Sequence, residues 1–171
     1  VAGDHDVSRL PLPGQLGGLY GMAMVGTGEN LSSAPNSDDG NFAGVRLGYA
    51  SGAFDVAAAY TRSQFSATTA IGNYTHANVG GTWDAGFAKF FALYNRVTVR
   101  LAGGAVRKNT AEIGAHIPVF TVGRIRLSYA HLDDRSDSGL ARSGDDARQF
   151  GVGYVHNLSK RTALYGTYAR I

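Results

Sequence analysis

Hydrophobic and polar residues alternate along much of this chain with a period of two. The clearest example is the segment 123–132, which contains the run Arg124, Ile125, Arg126, Leu127, Ser128 and Tyr129. This alternation indicates a β-strand with one polar and one apolar face. A soluble sheet has the same pattern, so the number and length of the strands must decide which environment applies.

The same period recurs along the chain and predicts nine β-strands. Each is about ten residues long, which is the length of a tilted strand that crosses a bilayer. No apolar run reaches the roughly 20 residues that a membrane-spanning helix requires. The pattern therefore predicts an all-β fold, an antiparallel transmembrane β-barrel, with strands at 16–26, 42–50, 54–63, 74–83, 87–95, 110–118, 123–132, 148–158 and 162–171.

The alternation also predicts which side chains face lipid and which face the barrel interior. We expect the apolar set to contact lipid, and it includes Val45, Leu47, Val56, Ile125, Leu127 and Tyr129. The opposite side carries two acidic residues, Asp55 and Glu112, and five basic ones. These predicted pore-lining residues are Arg46, Lys89, Arg124, Arg126 and Arg170. Such an excess favours anions, because low-dielectric walls focus the field of fixed charges on the solute path.

Arg124 and Arg126 are the strongest selectivity candidates among these cations. They occupy successive inward positions of one strand, so their charges lie ~7 Å apart along the solute path. The alternative is that some of the cations pair with loop carboxylates and only brace the wall.

The connections between the strands alternate between short and long. Short turns are expected at 51–52, 84–86, 118–122 and 159–161, and longer polar loops at 27–41, 63–73, 96–109 and 133–147. Short turns on one side and long loops on the other are typical of outer-membrane barrels. Aromatic residues beside the short turns fit an interfacial girdle, for which we predict Tyr49, Phe54, Trp83, Tyr154 and Tyr165.

Composition agrees with a membrane β-protein and gives little support to an enzyme. The 171 residues include 24 glycines, 11% aromatic residues, 17% charged residues and no cysteine, with a formal net charge of +3. The missing thiols exclude disulfides and thiolate metal sites. No His-Glu-x-x-His or Gly-x-Ser-x-Gly motif occurs, and we expect Asp4, His5 and Asp6 to be a solvated cluster and not a metal site. We therefore predict no enzyme activity, no cofactor and no metal.

Several segments resemble the C-terminal half of a general porin of Gram-negative β-proteobacteria. They are Val7-Ser8-Arg9-Leu10-Pro11, Leu16-Gly17-Gly18-Leu19-Tyr20-Gly21, Tyr94-Asn95-Arg96, Gly114-Ala115-His116-Ile117-Pro118-Val119 and, most specifically, Leu158-Ser159-Lys160-Arg161-Thr162 with the Tyr-rich strand after it. The resemblance implies a roughly sixteen-stranded barrel in the bacterial outer membrane, in contact with its lipid. It also implies a homotrimer that passes small hydrophilic solutes, often anions, and does not bind nucleic acid.

The expected function is passive diffusion of small hydrophilic solutes, with an anion preference. Residues 1–171 are read as a single, partial porin barrel domain, because nine strands are an odd number and the family's barrel needs about twice this length. An alternative is a small closed eight-stranded outer-membrane barrel that serves as a structural anchor or adhesin. A soluble ligand-binding β-barrel is the third possibility.

Overall fold

A computed structural model describes residues 7–12, 17–28, 30, 36–137 and 144–171. Parts of the predicted segments 16–26, 27–41 and 133–147 lie outside these residues. The described chain forms ten antiparallel strands in one sheet, one strand more than predicted. They are β1 (Val7–Pro11), β2 (Leu19–Gly26), β3 (Phe42–Ser51), β4 (Phe54–Ser63), β5 (Asn73–Asp84), β6 (Lys89–Leu101), β7 (Gly104–Val119), β8 (Gly123–Asp134), β9 (Ala147–Asn157) and β10 (Ala163–Arg170).

The strands follow one another in space in chain order, from β1 at one edge to β10 at the other. Each strand pairs with its chain neighbours, and in the described residues β1 and β10 do not pair with each other. This arrangement confirms the predicted all-β antiparallel fold. It does not fit the alternative of a small closed barrel of eight strands. Within the described ranges, no helix is long and apolar enough to span a membrane.

The register of the ladders gives the sheet two different faces. Residues directly opposite each other in an antiparallel pair point to the same side. Arg126 lies opposite His116, whereas the neighbouring Leu127 lies opposite Ala115. We call the side that carries Arg126 the polar face and the side that carries Leu127 the apolar face.

The large side chains of the apolar face are not buried in a core. Leu47 is 56% exposed, Ile113 is 59% exposed and Phe54 is 60% exposed. In the described residues, the buried hydrophobic side chains are three alanines, Ala88, Ala105 and Ala115. A soluble protein rarely exposes such a continuous apolar surface, so this face needs an apolar medium around it. The soluble β-barrel alternative therefore loses its support.

The polar face is lined by small residues over which larger side chains lie flat. A Cβ atom on Gly48 would be 2.2 Å from Cζ of Tyr20, and one on Gly114 would be 2.1 Å from Cζ of Phe91. Glycine is needed at both positions because the aromatic rings of neighbouring strands occupy that space.

The connections show the predicted contrast, with one exception. β3 and β4 are joined by a tight turn at Gly52, which has a φ of 55°. The predicted long loop 96–109 is instead the end of β6, a two-residue turn at Ala102 and Gly103, and the start of β7. The polar residues there led to the loop prediction. They continue the ladder as far as the pair Leu101 and Gly104.

Candidate functional site

The polar face carries a row of basic side chains close to the short turns. Lys89 on β6 lies opposite His116 on β7, and His116 lies opposite Arg126 on β8. Arg124 is two residues from Arg126 and therefore points to the same side. A cavity of about 710 Å³ opens at this end of the face, with Lys89, His116 and Arg124 in its lining. The ring of Phe91 packs edge-on against His116, with centroids 5.4 Å apart.

These cations are not neutralised by ion pairs. In the part of the chain that the structure describes, no carboxylate oxygen lies within 4.0 Å of the charged nitrogens of Arg46, Lys89, Arg124 or Arg126. The alternative was that loop carboxylates pair with these cations, and no such pair occurs among the described contacts. The row presents unpaired positive charge to the space above the sheet.

A second cluster on the same face joins β2, β3 and β4. Oη of Tyr20 donates a hydrogen bond to Oδ1 of Asp55 over 2.5 Å. The guanidinium carbon of Arg46 lies 5.3 Å from the centroid of the Tyr20 ring, a cation–π contact. A cavity of about 510 Å³ borders this cluster and has Asn78 and Glu112 in its wall. The Asp55 carboxylate thus accepts a hydrogen bond from a neutral phenol, and it forms no salt bridge with any described residue.

The register gives the charge balance of the polar face. Among the described strand residues, its basic members outnumber its acidic members by six to four. They are Arg9, Arg46, Lys89, Lys108, Arg124 and Arg126 against Asp55, Asp84, Glu112 and Asp134. Lys108 and Asp134 contact each other at 3.6 Å near the long connections. With this pair set aside, five basic and three acidic residues remain. Of these, Lys89, Arg124 and Arg126 lie at the end of the face toward the short turns, where Asp84 lies opposite Lys89.

Two predicted positions require correction, and both lie on β10. Arg170 lies opposite Phe150, which lies opposite Tyr129, so Arg170 is on the apolar face and not with Arg126. Tyr165 lies opposite Val155, whose partner is Arg124, so Tyr165 is on the polar face. The prediction therefore assigned the two faces of β10 the wrong way round. A register shift of one residue has this effect, because it moves every side chain of a strand to the other face.

The other predicted residues lie on the sides that the alternation indicated. Arg46, Lys89, Arg124 and Arg126 are on the polar face, and their pore-lining role stays a prediction. The apolar face carries the predicted lipid-facing and girdle residues Val45, Leu47, Val56, Ile125, Leu127, Tyr129, Tyr49, Phe54, Trp83 and Tyr154.

Aromatic rings on the apolar face pack together beside the short turns. The Phe54 and Trp83 rings stack with centroids 6.0 Å apart, and the Trp83 and Phe90 rings lie 5.6 Å apart. Phe87 packs edge-on against Phe90 at 6.2 Å. A row of rings at one end of an apolar band is the arrangement expected at a membrane interface.

Sequence reasoning missed the contacts that join residues of different strands. The Tyr20–Asp55 hydrogen bond links positions 35 residues apart, and only the registers of two ladders bring them together. In the described residues, no group of three or more His, Asp or Glu side chains is placed to hold a metal ion. Asp4, His5 and Asp6 lie outside the described residues.

Comparisons with known proteins agree with this architecture. The family model described as "Gram-negative porin" matches residues 12–171. Outer membrane porin protein 32 of Delftia acidovorans is 39% identical over 92 residues, which are 53% of this chain and 24% of that protein. The anion-selective porin from Comamonas acidovorans superposes with a TM-score of 0.81 at 27% identity, over 95% of this chain and 47% of that one.

A second solved structure shares the fold alone. It is a porin refined at 1.8 Å resolution, with a TM-score of 0.73 at 17% identity, matched over 98% of this chain and 56% of its own. The chain therefore spans about half the length of these solved structures, and about a quarter of the curated relative is aligned with it.

Proposed function

Because this chain belongs to the Gram-negative porin family of the outer membrane, we propose that its polar face lines a water-filled channel for passive diffusion of small hydrophilic solutes. Residues 1–171 contribute part of the channel wall as a single unit. The apolar face contacts outer-membrane lipid. The proteins that it resembles are named as porins, which are channels and not enzymes.

The channel prefers anions. The observation that carries this proposal is the group of Lys89, Arg124 and Arg126, which lie around His116 on the polar face and have no described carboxylate in ion-pair contact. Fixed positive charges along a narrow aqueous path raise the local concentration of anions and repel cations. The similarity to a protein named as an anion-selective porin supports the same direction. A homotrimer, implied by the family resemblance, is part of the proposal.

The reversal potential across a planar bilayer tests this assignment. The native protein that contains this chain is reconstituted under a salt gradient, as wild type and as the double variant Arg124→Gln, Arg126→Gln. We expect a reversal potential of the sign for anion preference in the wild type and a clear shift toward zero in the variant. The conservative double variant Arg124→Lys, Arg126→Lys is the matched control and should keep the wild-type value.

Two results would count against the proposal. Absence of conductance in correctly folded wild-type protein would reject the channel itself. An identical reversal potential in the Gln and Lys variants would reject the role of the two arginines, because only their charge distinguishes these variants.

A further inference from the structure

Two apolar side chains of β6 lie on the polar face. Phe91 lies opposite Gly114, and Leu93 lies opposite Glu112. Both residues are an even number of positions from Lys89, so they point to the same side as its ammonium group. Phe91 is half-buried and Leu93 is 37% exposed. The interior of a water-filled barrel is polar as a rule, and these two side chains are an exception to that rule.

Glycines on the neighbouring strands make room for these two side chains. A Cβ on Gly114 would lie 2.1 Å from Cζ of Phe91, and one on Gly80 would lie 2.9 Å from Cδ1 of Leu93. Gly114 is on β7 and Gly80 is on β5, so Phe91 extends to one side of β6 and Leu93 to the other. Together they cover parts of three strands with apolar surface. We call Phe91 and Leu93 the apolar patch.

Two cavities of the polar face meet at this patch. The cavity of about 710 Å³ has Lys89 and Arg124 in its wall, and the cavity of about 510 Å³ has Leu93. Phe91 and Thr82 line both cavities. Both volumes are within the usual range for small-ligand sites. In the proposed channel, a solute that follows the wall from one cavity to the other passes the ring of Phe91.

The larger cavity places positive charge beside this ring. Lys89 precedes Phe91 by two residues on the same strand, and Arg124 lines the same wall. No described carboxylate oxygen lies within 4.0 Å of the charged nitrogens of Lys89 or Arg124. The wall also contains the carboxylate of Asp84, which accepts a hydrogen bond from the backbone N–H of Gly86 at 2.9 Å. The two cations therefore remain available to an anionic solute.

The combination of ring and cations favours one class of anion over others. An inorganic anion or a short aliphatic carboxylate would use the cations alone. A sugar phosphate carries several hydroxyl groups, whereas Ala88 and Pro118 stand beside Phe91 in the wall and have no side-chain polar atom. An aromatic ring packs well against another ring in offset or edge-on geometry, and a carboxylate accepts charge-assisted hydrogen bonds from lysine and arginine. An aromatic carboxylate uses both parts of the site.

We propose that the apolar patch and the adjacent cations form a binding site for small aromatic carboxylates, an inference that rests on the proposed channel. The ring of the solute packs against Phe91, with Leu93 beside it, and the carboxylate binds Lys89 and Arg124. Fixed charge distinguishes anions from cations. The apolar patch adds a distinction among anions, because it retains those that carry a ring.

Isothermal titration calorimetry of the native protein in non-ionic detergent tests this site, with benzoate as the probe. Acetate carries the same charge without the ring, and benzyl alcohol carries the ring without the charge. We expect benzoate to bind about fivefold or more tightly than either compound, because benzoate alone makes both contacts. Equal affinities for benzoate and acetate would overturn the proposal, since the ring would then contribute nothing.

A pair of neighbouring phenylalanines provides a matched comparison. Phe91→Leu removes the ring but keeps an apolar side chain, and it should raise the apparent Kd for benzoate about two- to tenfold while acetate binding is unchanged. Phe90→Leu makes the same change on the apolar face and should bind benzoate as wild type does. Phe91→Tyr keeps the ring and should keep wild-type binding. Equal benzoate affinity in Phe91→Leu and Phe90→Leu would overturn the proposal.

A charge variant tests the other half of the site and does not depend on the folding of Phe91→Leu. The double variant Lys89→Gln, Arg124→Gln should weaken benzoate binding about tenfold and leave the binding of benzyl alcohol unchanged. Wild-type benzoate affinity in this variant would overturn the assignment of the carboxylate. Competition with glucose 6-phosphate tests the class of solute. Displacement of benzoate by glucose 6-phosphate at concentrations below the Kd of benzoate would assign the site to sugar phosphates instead.

Conductance separates this inference from the proposed channel. In a planar bilayer, benzoate should reduce the chloride current of the wild type in a concentration-dependent manner, and it should do so less in Phe91→Leu. A protein that conducts chloride but binds benzoate no better than acetate would reject only the aromatic site. A protein that binds benzoate in detergent but never conducts would reject only the channel.

Discussion

Tyr20 on β2 and Asp55 on β4 are joined by a 2.5 Å hydrogen bond that passes over β3. Gly48 on β3 makes this possible, because any larger residue there would meet the Tyr20 ring. Arg46 lies over the same ring at 5.3 Å. The carboxylate and the guanidinium are thus both held by the tyrosine, and they do not form an ion pair with each other.

Removal of the Tyr20 hydroxyl should change ion selectivity without unfolding the protein. In Tyr20→Phe the ring remains, but Asp55 loses its donor and becomes available to neutralise Arg46. We expect a moderately weaker anion preference, measured as a smaller reversal potential under a salt gradient. Tyr49→Phe, on the apolar face, is the control and should match wild type. A wild-type reversal potential in Tyr20→Phe would contradict this role.

Gly48 should tolerate no side chain as long as Tyr20 keeps its position. A Cβ at Gly48 would lie 2.2 Å from the Tyr20 ring, so Gly48→Val must displace that ring. We expect a loss of about 1–3 kcal/mol in the free energy of unfolding, typical of overpacking. The double variant Gly48→Val, Tyr20→Ser should recover much of this loss. At Gly166 nothing lies within 4 Å of the added Cβ, so Gly166→Ala should be close to neutral in the same urea titration.

Charge placed on the apolar face should hinder insertion, whereas charge on the polar face should not. Leu127→Arg puts a cation among lipid chains and should cost ~2–4 kcal/mol if the position is near the bilayer midplane. Ser128→Arg changes the next residue, which points to the polar face, and should insert normally. The folded fraction in lipid vesicles, read from heat-modifiable gel migration, measures the difference. Equal insertion of the two variants would refute the assigned facing.

The contact between Asp137 and the start of β7 should weaken at low pH. The backbone N–H of Ala105 donates to Asp137 at 2.6 Å and the Arg107 guanidinium at 2.9 Å, and these bonds hold the pKa of Asp137 below its ordinary value. A lowered folded-state pKa stabilises the contact above the ordinary carboxyl pKa of about 3.9, and this stabilisation is lost as pH falls through the lower folded value. The contact should therefore be complete at neutral pH.

Amide hydrogen exchange at Ala105 measures this change. Its protection factor should fall on acidification in wild type. In Asp137→Asn it should be low at neutral pH already, and it should vary little with pH. A wild-type protection factor that stays constant down to the acid limit of folding would exclude this role for the carboxylate.

Sequence alternation predicted the facing of β3, β4 and β8 because a simple two-residue period persists along each of them. Val45, Leu47 and Val56 lie on the same side, because the tight turn at Gly52 fixes the register between β3 and β4. The prediction for β10 failed because the five residues 158–162 separate it from β9. The register across such a connection depends on its conformation, and a shift of one residue exchanged the faces of Tyr165 and Arg170.

Polarity misled the prediction for the end of β6 and the start of β7. Arg96, Arg100 and Lys108 are typical of loops, but strands that extend past a membrane are polar on both faces. The ladder there is maintained by backbone pairing, which the side-chain pattern does not report. The hydrogen bond between Tyr20 and Asp55 was equally inaccessible, since it depends on two registers at once.

The strictly sequential strand order has a kinetic consequence. Every ladder joins strands adjacent in the chain, so most pairings close short loops, and the entropy lost on closure stays small. The β6–β7 hairpin has the longest ladder and a two-residue turn, and we expect it to form first. Pulse-labelled amides there should then gain protection before those of β1 and β10. The sheet would then grow outward in both directions from its middle, and each new strand would pair with the edge of a sheet that has already formed.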